Sequence, residues 1–179
     1  MDCERDRYAF GSNWFAVWTK SRQEKVAASL LESLGIQNFL PLKSEVRQWT
    51  DRKQTVQVPL FSGYLFVRIN PLKDSKLQVL KTQGVVRLVG NHDGPLPVPD
   101  QQIEQIRTVL AQRVECTLLP LVEEGDRVRV VRGILTGVEG TLLRTKSEAY
   151  LVISIDLIHQ SLAVQVSRHD VELISRHSG

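Results

Sequence analysis

The sequence predicts a two-domain protein of the α+β class, because its two halves carry different hydrophobic patterns. Up to residue 114, strand-like apolar segments alternate with segments of helical periodicity, which is typical of an α/β layer domain. Beyond residue 122 only short period-2 segments recur, at the spacing of a small β barrel. A chain of 179 residues has room for two small domains of this kind.

The chain opens with polar residues 1–12, which show no periodicity and are expected to form a flexible N-terminus. Residues 14–19 are rich in aromatic and β-branched side chains and predict the first strand. Ser21 and Glu24 then have the spacing of a capping box, which predicts a helix start. Gly35 is expected to end this helix, whose apolar stripe would consist of Val26, Ala27, Leu30, Leu31 and Leu34.

Residues 39–58 predict a hairpin with a basic tip. Residues 39–49 have an extended pattern and would form the first strand, and residues 55–58 would form the returning strand. Residues 51–53 between them are polar and basic and would form the tip. Strands at residues 64–69 and 85–89 then flank a short helix over residues 74–81. After a proline-rich loop, Asp100 is expected to cap a second long helix. These elements complete a first domain over residues 13–114, whose last helix has the apolar face Ile103, Ile106, Val109 and Leu110.

Residues 115–122 contain Pro120 and no clear periodicity, so they are predicted to form a short linker. A second domain follows over residues 123–175, with strands at 127–131, 138–144, 150–155, 162–166 and 171–174. In the first of these strands, Val128 and Val130 face one side, and the arginines between and before them face the other. The glycines Gly133, Gly137 and Gly140 are expected to adopt positive φ or to leave room for a neighbouring backbone.

Charge and cysteine content restrict the class of protein. Residues 1–117 hold 16 Lys and Arg against 12 Asp and Glu, whereas residues 118–179 hold 7 against 8. This excess is compatible with nucleic-acid contact and equally with solvated surface charge. Cys3 and Cys116 lie far apart and outside any CxxC motif. With no export leader and no apolar run long enough for a bilayer, we expect a cytoplasmic protein without membrane contact.

The sequence contains no constellation typical of an enzyme. The four histidines, His92, His159, His169 and His177, lack partners at metal-ligand spacing and a recognisable nucleophile. The glycines of the second domain lack the Gly-Lys-Ser/Thr ending of a phosphate loop. We therefore expect no catalytic residue, no metal and no cofactor. An enzyme with a barrel appendage is a rival that would need a catalytic cluster.

Four landmarks occur in the order typical of one family. They are Trp14-Phe15, then Phe61-Ser62-Gly63-Tyr64-Leu65-Phe66-Val67, then Gly84-Val85 with Val89-Gly90, and last the segment from Gly125, which resembles a KOW motif. Over residues 13–174 the chain therefore resembles the NusG family of transcription elongation factors. The resemblance implies an N-terminal NGN-type α/β sandwich with an antiparallel sheet and a C-terminal KOW SH3-like β barrel.

Two segments resemble the specialised paralogues of the family, of RfaH or UpxY type. The first is Pro59-Leu60-Phe61 followed by Tyr64-Leu65-Phe66-Val67. The second is Ile155-Asp156-Leu157-Ile158-His159, which lacks the Phe-Gly-Arg turn of typical members. RfaH-type proteins also refold the second domain as a helical hairpin, but period-2 Val, Ile and Thr favour the barrel here.

The resemblance implies binding to RNA polymerase, on the clamp helices of its largest subunit, and suppression of pausing and termination. The positions that match the docking surface are Trp18, Phe61 and Tyr64. Exposed aromatic anchors often supply much of the binding energy of an interface. The alternative for Phe61 is a place in the core, and the facing of Trp18 depends on the strand register.

The predicted hairpin corresponds to the family element that lies near non-template DNA at the upstream fork of the transcription bubble. Its basic residues that would meet phosphates are Lys43, Arg47, Arg52 and Lys53. Outside the hairpin, Lys20 after the first strand matches a basic position that faces DNA in the RfaH-type proteins. Trp49 would stack on an unpaired base. The alternative is a solvated basic loop.

The KOW barrel would recruit a second partner, either the ribosomal protein that doubles as NusE or the termination factor Rho. The matching apolar rim is Leu135, Val138, Leu157 and Ile158. Typical members carry phenylalanine where this chain has Leu135 and Val138, which argues against Rho in particular. Val138 is equally compatible with the barrel core. The rival interpretation of the whole chain, a ribosome-associated KOW protein that binds RNA, would require a more basic second domain.

Overall fold

The computed structural model describes residues 11–48, 53–73, 75–122, 125–145 and 147–176. It divides the chain into two compact units, Met1–Asp100 and Gln101–Gly179. The N-terminus predicted to be flexible lies outside the described residues, apart from Gly11 and Ser12.

The first unit is built on a five-stranded antiparallel sheet with the order β2-β5-β1-β6, in which β9 also pairs with β1. Two smaller sheets, β3-β4 and β7-β8, complete its strands. The strands are β1 (Asn13–Thr19), β2 (Asn38–Phe39), β3 (Leu42–Gln48), β4 (Lys53–Pro59), β5 (Tyr64–Ile69), β6 (Val85–Leu88), β7 (Gly90–Asn91), β8 (Gly94–Pro95) and β9 (Pro97–Val98). The helices are α1 (Glu24–Ser33) and α2 (Ser75–Lys81).

Alternate residues of the central strands and the inner faces of both helices form the core of the first unit. The buried cluster takes Phe15 and Val17 from β1, Leu65 and Val67 from β5, Ala27 and Leu31 from α1, and Val79 from α2. Because side chains alternate along a strand, the residues between these point to the other face of the sheet. The predicted strand, helix, strand order of the first domain is confirmed.

Helix α1 starts and faces differently from the sequence prediction. Its N-cap is Gln23 and no side chain caps it, so the capping box expected from Ser21 and Glu24 does not form. Ala27 and Leu31 are buried, whereas the other predicted stripe residues, Val26, Leu30 and Leu34, are 41%, 37% and 51% exposed. The predicted apolar stripe of α1 is therefore wider than the face of the helix that packs against the sheet.

The predicted C-terminal end of α1 is confirmed in detail. Gly35 has a φ of 71° and donates its N–H to the carbonyl oxygen of Glu32 at 2.9 Å. Ile36 donates to the carbonyl oxygen of Leu31, also at 2.9 Å. This pair of bonds is a Schellman motif, which satisfies carbonyl groups that the helix end would leave without partners.

The second unit contains one six-stranded antiparallel sheet with the order β10-β14-β13-β12-β11-β15. Its elements are β10 (Cys116–Pro120), β11 (Asp126–Val130), β12 (Glu139–Arg144), β13 (Ala149–Ile155), β14 (Gln160–Val166) and β15 (Val171–Ser175). Helix α3 (Asp100–Ala111) begins at the boundary between the units. In the described parts of the chain, no helix combines the length and the apolar character that a membrane crossing needs.

The predicted linker is wrong, because residues 116–120 form strand β10. This strand pairs with β14 from Cys116 opposite Val164 to Pro120 opposite Gln160. Its residues, Cys-Thr-Leu-Leu-Pro, do not alternate between apolar and polar, so the sequence pattern does not indicate a strand. The division between the units also comes at residue 100, before the predicted end of the first domain at 114. Gln101 and Gln102 donate to Glu139 at 3.1 Å and to Asp156 at 3.5 Å, which groups α3 with the second unit.

The glycines after β11 serve the two purposes that the sequence predicted. Gly133 and Gly137 have φ values of 87° and 89°, a conformation that favours glycine. Gly140 lies against β13, where a Cβ would stand 2.4 Å from the carbonyl oxygen of Val152. Val128 and Val130 point into the core and Arg127 and Arg129 are exposed, as predicted.

Candidate functional site

Three side chains form a row across one face of the sheet in the first unit. Trp18 in the central strand β1 is paired with Tyr64 on β5 and with Arg87 on β6. Paired residues of antiparallel strands project to the same face. The guanidinium carbon of Arg87 lies 5.4 Å from the centroid of the Trp18 ring, within cation–π range. Tyr64, Trp18 and Arg87 are called the aromatic row below.

Trp18 is the accessible member of the predicted docking set. Its side chain is 42% exposed although it sits in a central strand, and Tyr64 is half-buried. Arg87 was not predicted, because only the pairing of β1 with β6 brings it to Trp18. The row therefore presents an indole, a phenol and a guanidinium, the side chains most enriched at the energetic centres of protein interfaces.

Phe61, predicted as a docking anchor, is a core residue. It has no exposed surface, and its ring packs edge-on against Phe66 with the centroids 6.3 Å apart. Phe66 stacks in turn on Phe39, also at 6.3 Å. The core alternative weighed for Phe61 is correct, because the turn before β5 points the ring inward.

The turn that precedes Tyr64 is held beside Trp18 by two hydrogen bonds of Gly63. Its carbonyl oxygen accepts from the N–H of Thr19 at 2.8 Å, and its own N–H donates to Glu24 Oε1 at 2.8 Å. Gly63 has a φ of 81°, a backbone conformation that favours glycine. A Cβ at this position would lie 3.7 Å from the Trp18 ring, which is an ordinary contact distance, so glycine is required by the backbone conformation and not by a lack of space. Glu24 is buried and supports this turn instead of capping α1.

The predicted DNA-contacting residues of the hairpin occupy both of its faces. Lys43 and Arg47 alternate along one face of β3, whereas Lys53 is paired with Gln48 and points to the opposite face. Arg47 also contacts Glu45 on its own face, with Nε 3.3 Å from Oε1. Trp49 and Arg52 lie outside the described residues.

Two lysines of the first unit border the hairpin and the aromatic row. Lys20 is exposed directly after β1, and its main-chain N–H donates to the carbonyl oxygen of Gly84 at 2.8 Å. Lys25 in α1 was not predicted as a functional residue. Its Nζ donates to the carbonyl oxygen of Gln57 at 2.6 Å and so ties helix α1 to strand β4.

The predicted partner-binding rim of the second unit is mostly buried. Leu135, Val138 and Ile158 are core residues with 3–5% exposure, and Leu157 is half-buried. Leu135 and Val138 lie in the loop between β11 and β12, and Ile158 lies in the turn between β13 and β14. The exposed apolar residues of the same loop are Val131 at 39% and Ile134 at 61%.

Glu139 carries the clearest electrostatic feature of the second unit. Arg129 Nε donates to its Oε1 at 2.8 Å across the β11–β12 ladder, and Arg127 Nη2 lies 3.9 Å from its Oε2. The hydrogen bonds from Arg129 are the main cause that lowers the pKa of Glu139 below its usual value of 4.5, against the raising effect of burial. The carboxylate therefore neutralises part of the charge of Arg127 and Arg129.

The described histidines do not come together. His92 is exposed beside Asp93, with Nε2 3.0 Å from Oδ1, and His159 and His169 are exposed elsewhere. His177 lies outside the described residues. Within the described ranges no group of three or more His, Cys, Asp and Glu could hold a metal ion.

Comparisons with known proteins connect this geometry to one family. The family model described as "Transcription termination factor nusG" matches residues 12–107. The transcription termination/antitermination protein NusG of Lactococcus lactis is 26% identical over 176 residues, which cover 92% of this chain and 94% of that protein. The protein of the same name from Borreliella burgdorferi is 24% identical over 180 residues, covering 90% and 98%.

A solved structure has the same fold. The structure titled "Domain interaction in Thermotoga maritima NusG" superposes with a TM-score of 0.54 at 21% identity, covering 92% of this chain and 98% of that one. The matched region includes strands and helices of both units.

Proposed function

The chain belongs to the NusG family of transcription termination and antitermination factors, and from this premise we propose that it binds RNA polymerase and suppresses pausing and termination. The clamp helices of the largest polymerase subunit would contact the aromatic row. One observation carries this proposal: Trp18 is 42% exposed on a central strand, beside the half-buried Tyr64 and the exposed Arg87. Tryptophan, tyrosine and arginine are the side chains most enriched among the residues that dominate binding energy at interfaces.

A binding experiment tests the polymerase interface. The full chain is titrated against purified RNA polymerase elongation complexes, as wild type and as Trp18→Ala. Loss of an interface anchor is expected to weaken binding about 30-fold, or about 2 kcal/mol. Leu77→Ala is the matched control, because Leu77 is 56% exposed on α2 and outside the aromatic row. Equal affinities of wild type and Trp18→Ala would move the interface elsewhere.

The antitermination activity needs its own readout. Pause lifetimes and read-through at a terminator are compared with and without the chain in a reconstituted transcription reaction. We expect shorter pauses and more read-through, both reduced by Trp18→Ala. Longer pauses would place the protein on the termination side of the family.

We further propose that the hairpin β3–β4 touches non-template DNA. Lys20, Lys43, Arg47, Arg52 and Lys53 would supply phosphate contacts, and Trp49 a stacking platform. Since Lys43 and Lys53 occupy opposite faces of the hairpin, a strand would have to pass around it to meet both. Replacing both by Gln should lower the slope of log affinity against log salt for the elongation complex by about 1 to 2.

The second unit is proposed to be a KOW barrel of SH3-like topology that recruits a second partner such as the ribosomal protein NusE or Rho. Its apolar contacts would come from Leu157 and from the exposed loop residues Val131 and Ile134, since Leu135, Val138 and Ile158 are buried. A pull-down of NusE and of Rho by wild type and Ile134→Ser separates the two partners. Without capture of either one, this part of the proposal would be wrong.

A specialised RfaH-type or UpxY-type role is a narrower proposal within the family. The support is local: residues Asp156–Ile158 form a 3-10 turn that ends at His159, which has a φ of 51°. A non-glycine residue in this conformation departs from the Phe-Gly-Arg turn of typical members. Restriction of polymerase occupancy to a few operons in vivo would support the specialised role, and genome-wide occupancy would contradict it.

A further inference from the structure

A cleft in the second unit, formed by β11, β12 and β15, contains none of the residues discussed above as partner contacts. It measures about 560 Å³, within the size range of natural ligand sites. Its lining is Asp126, Val128, Leu142, Arg144, Arg168, Val171, Leu173 and Arg176. We call it the arginine cleft.

The charge of the arginine cleft is one-sided. Three guanidinium groups, those of Arg144, Arg168 and Arg176, face a single carboxylate, that of Asp126. Arg144 Nη2 lies 3.2 Å from Asp126 Oδ2, and Arg168 Nη2 donates to the carbonyl oxygen of Thr145 at 2.9 Å. All three arginines are exposed, and guanidinium forks suit planar anions. An occupant of this cleft should therefore carry negative charge.

The lining between the charged groups is aliphatic. Val128 and Leu142 are buried beneath it, Val171 is half-buried, and Leu173 is 47% exposed. No aromatic side chain lines the cleft, so the stacking platform that unpaired bases favour is missing from its described lining. An apolar floor with a cationic rim is better matched to a segment that contains both acidic and aliphatic residues.

The strand that borders the cleft also has an open edge. β15 pairs with β11 and ends the strand order, so within the described chain its outer edge carries no neighbouring strand. Ile174 is 46% exposed, so β15 presents apolar surface on both faces. Such an edge offers main-chain N–H and carbonyl groups to an extended peptide.

We propose that the arginine cleft binds an extended acidic segment of a partner protein, which adds as a strand along β15. Its carboxylates would meet Arg168 and Arg176, and its aliphatic side chains would cover Leu173. None of its lining residues belongs to the aromatic row or to the Val131–Ile134 loop. The proposal that the first unit binds polymerase can therefore be tested separately from this one.

The test uses the full chain and two labelled probes: a peptide of about ten residues in which Glu residues flank a central segment of Val and Leu, and an oligouridine of about ten nucleotides. Fluorescence anisotropy is expected to show that Arg168→Gln/Arg176→Gln weakens peptide binding about tenfold or more. Arg132→Gln, which removes an exposed arginine outside the cleft, should change it less than twofold. Leu173→Thr tests the apolar floor and should also weaken binding.

Amide chemical shifts provide the positional readout, since an added strand should move the amides of residues 171–175. Unchanged affinity in the double variant, shifts confined elsewhere, or no peptide binding below about 1 mM would overturn the proposal. Oligouridine that binds more tightly than the peptide, and loses binding in the double variant, would make the cleft a nucleic-acid site and overturn it as well. Unchanged circular dichroism of each variant excludes unfolding as the cause.

Discussion

Trp18 and Phe61 show how two aromatic residues near one turn take different roles. Trp18 lies on a central strand and keeps 42% of its surface exposed, whereas Phe61 has none. The hydrogen bonds of Gly63 to Thr19 and Glu24 fix the turn that separates these environments. Truncation of the two residues should therefore cost different amounts of stability.

Phe61→Ala is expected to lower the free energy of unfolding by about 3 to 5 kcal/mol, because it opens a cavity beside Phe66. Trp18→Ala should lower it by about 1 kcal/mol, since much of that ring already contacts solvent. Urea denaturation of both variants measures the two values. A small loss for Phe61→Ala would mean that the ring is not packed in the core.

Gly140 and Gly133 form a second matched pair. Gly140→Ala places a Cβ 2.4 Å from the carbonyl oxygen of Val152, so β12 and β13 must separate. We expect a loss of about 2 to 3 kcal/mol or more. Gly133→Ala meets no atom within 4 Å and is disfavoured only by its φ of 87°, which costs about 1 kcal/mol. Thermal unfolding should rank the two variants in this order.

Glu139 predicts a pH dependence of stability. The folded-state pKa of Glu139 is lowered, chiefly by Arg129. Its contribution to the free energy of unfolding is therefore present above the unfolded-state pKa of about 4.3, and it is lost as pH falls through the lower folded-state pKa. The stability advantage of wild type over Glu139→Gln should therefore shrink from about pH 5 to about pH 3. Denaturation at several pH values measures it, with exposed Glu32→Gln in the first unit as the control. A constant difference across this range would contradict the assignment.

At the scale of elements, the start of α1 connects three parts of the first unit. Glu24 holds the turn at Gly63, and Lys25 holds β4 through Gln57. Neither bond belongs to the helix itself. Helix α1 therefore positions both the aromatic row and the hairpin.

Glu24→Ala is expected to destabilise the protein by about 1 to 3 kcal/mol, because the partly buried N–H of Gly63 loses its acceptor. Glu24→Gln keeps an acceptor oxygen and should recover part of this loss. Urea unfolding compares the variants, and polymerase binding reports whether the turn beside Trp18 has moved. Equal stability of Glu24→Ala and wild type would show that this bond does not hold the turn.

At the scale of the whole molecule, the second unit adopts a six-stranded β-sheet. Five of the strands predicted from period-2 patterns form there, and β10 adds a sixth. Carbon chemical shifts of the full chain should report strand over residues 126–130, 139–144, 149–155, 160–166 and 171–175. Helical shifts over these residues would contradict the structure and support refolding of the RfaH type.

The sequence by itself determined most elements, because periodicity, turn glycines and helix ends are local. Gly35, Gly133 and Gly140 behave as predicted for this reason, and the family follows from ordered local motifs. The tertiary structure alone decided which apolar residues are accessible. Phe61, Leu135, Val138 and Ile158 are buried, and Val26, Leu30 and Leu34 are exposed, because the extent of cover depends on neighbours distant in sequence. The placement of Arg87 against Trp18 and of Glu24 against Gly63 has the same cause: strand pairing and packing, which no local pattern encodes.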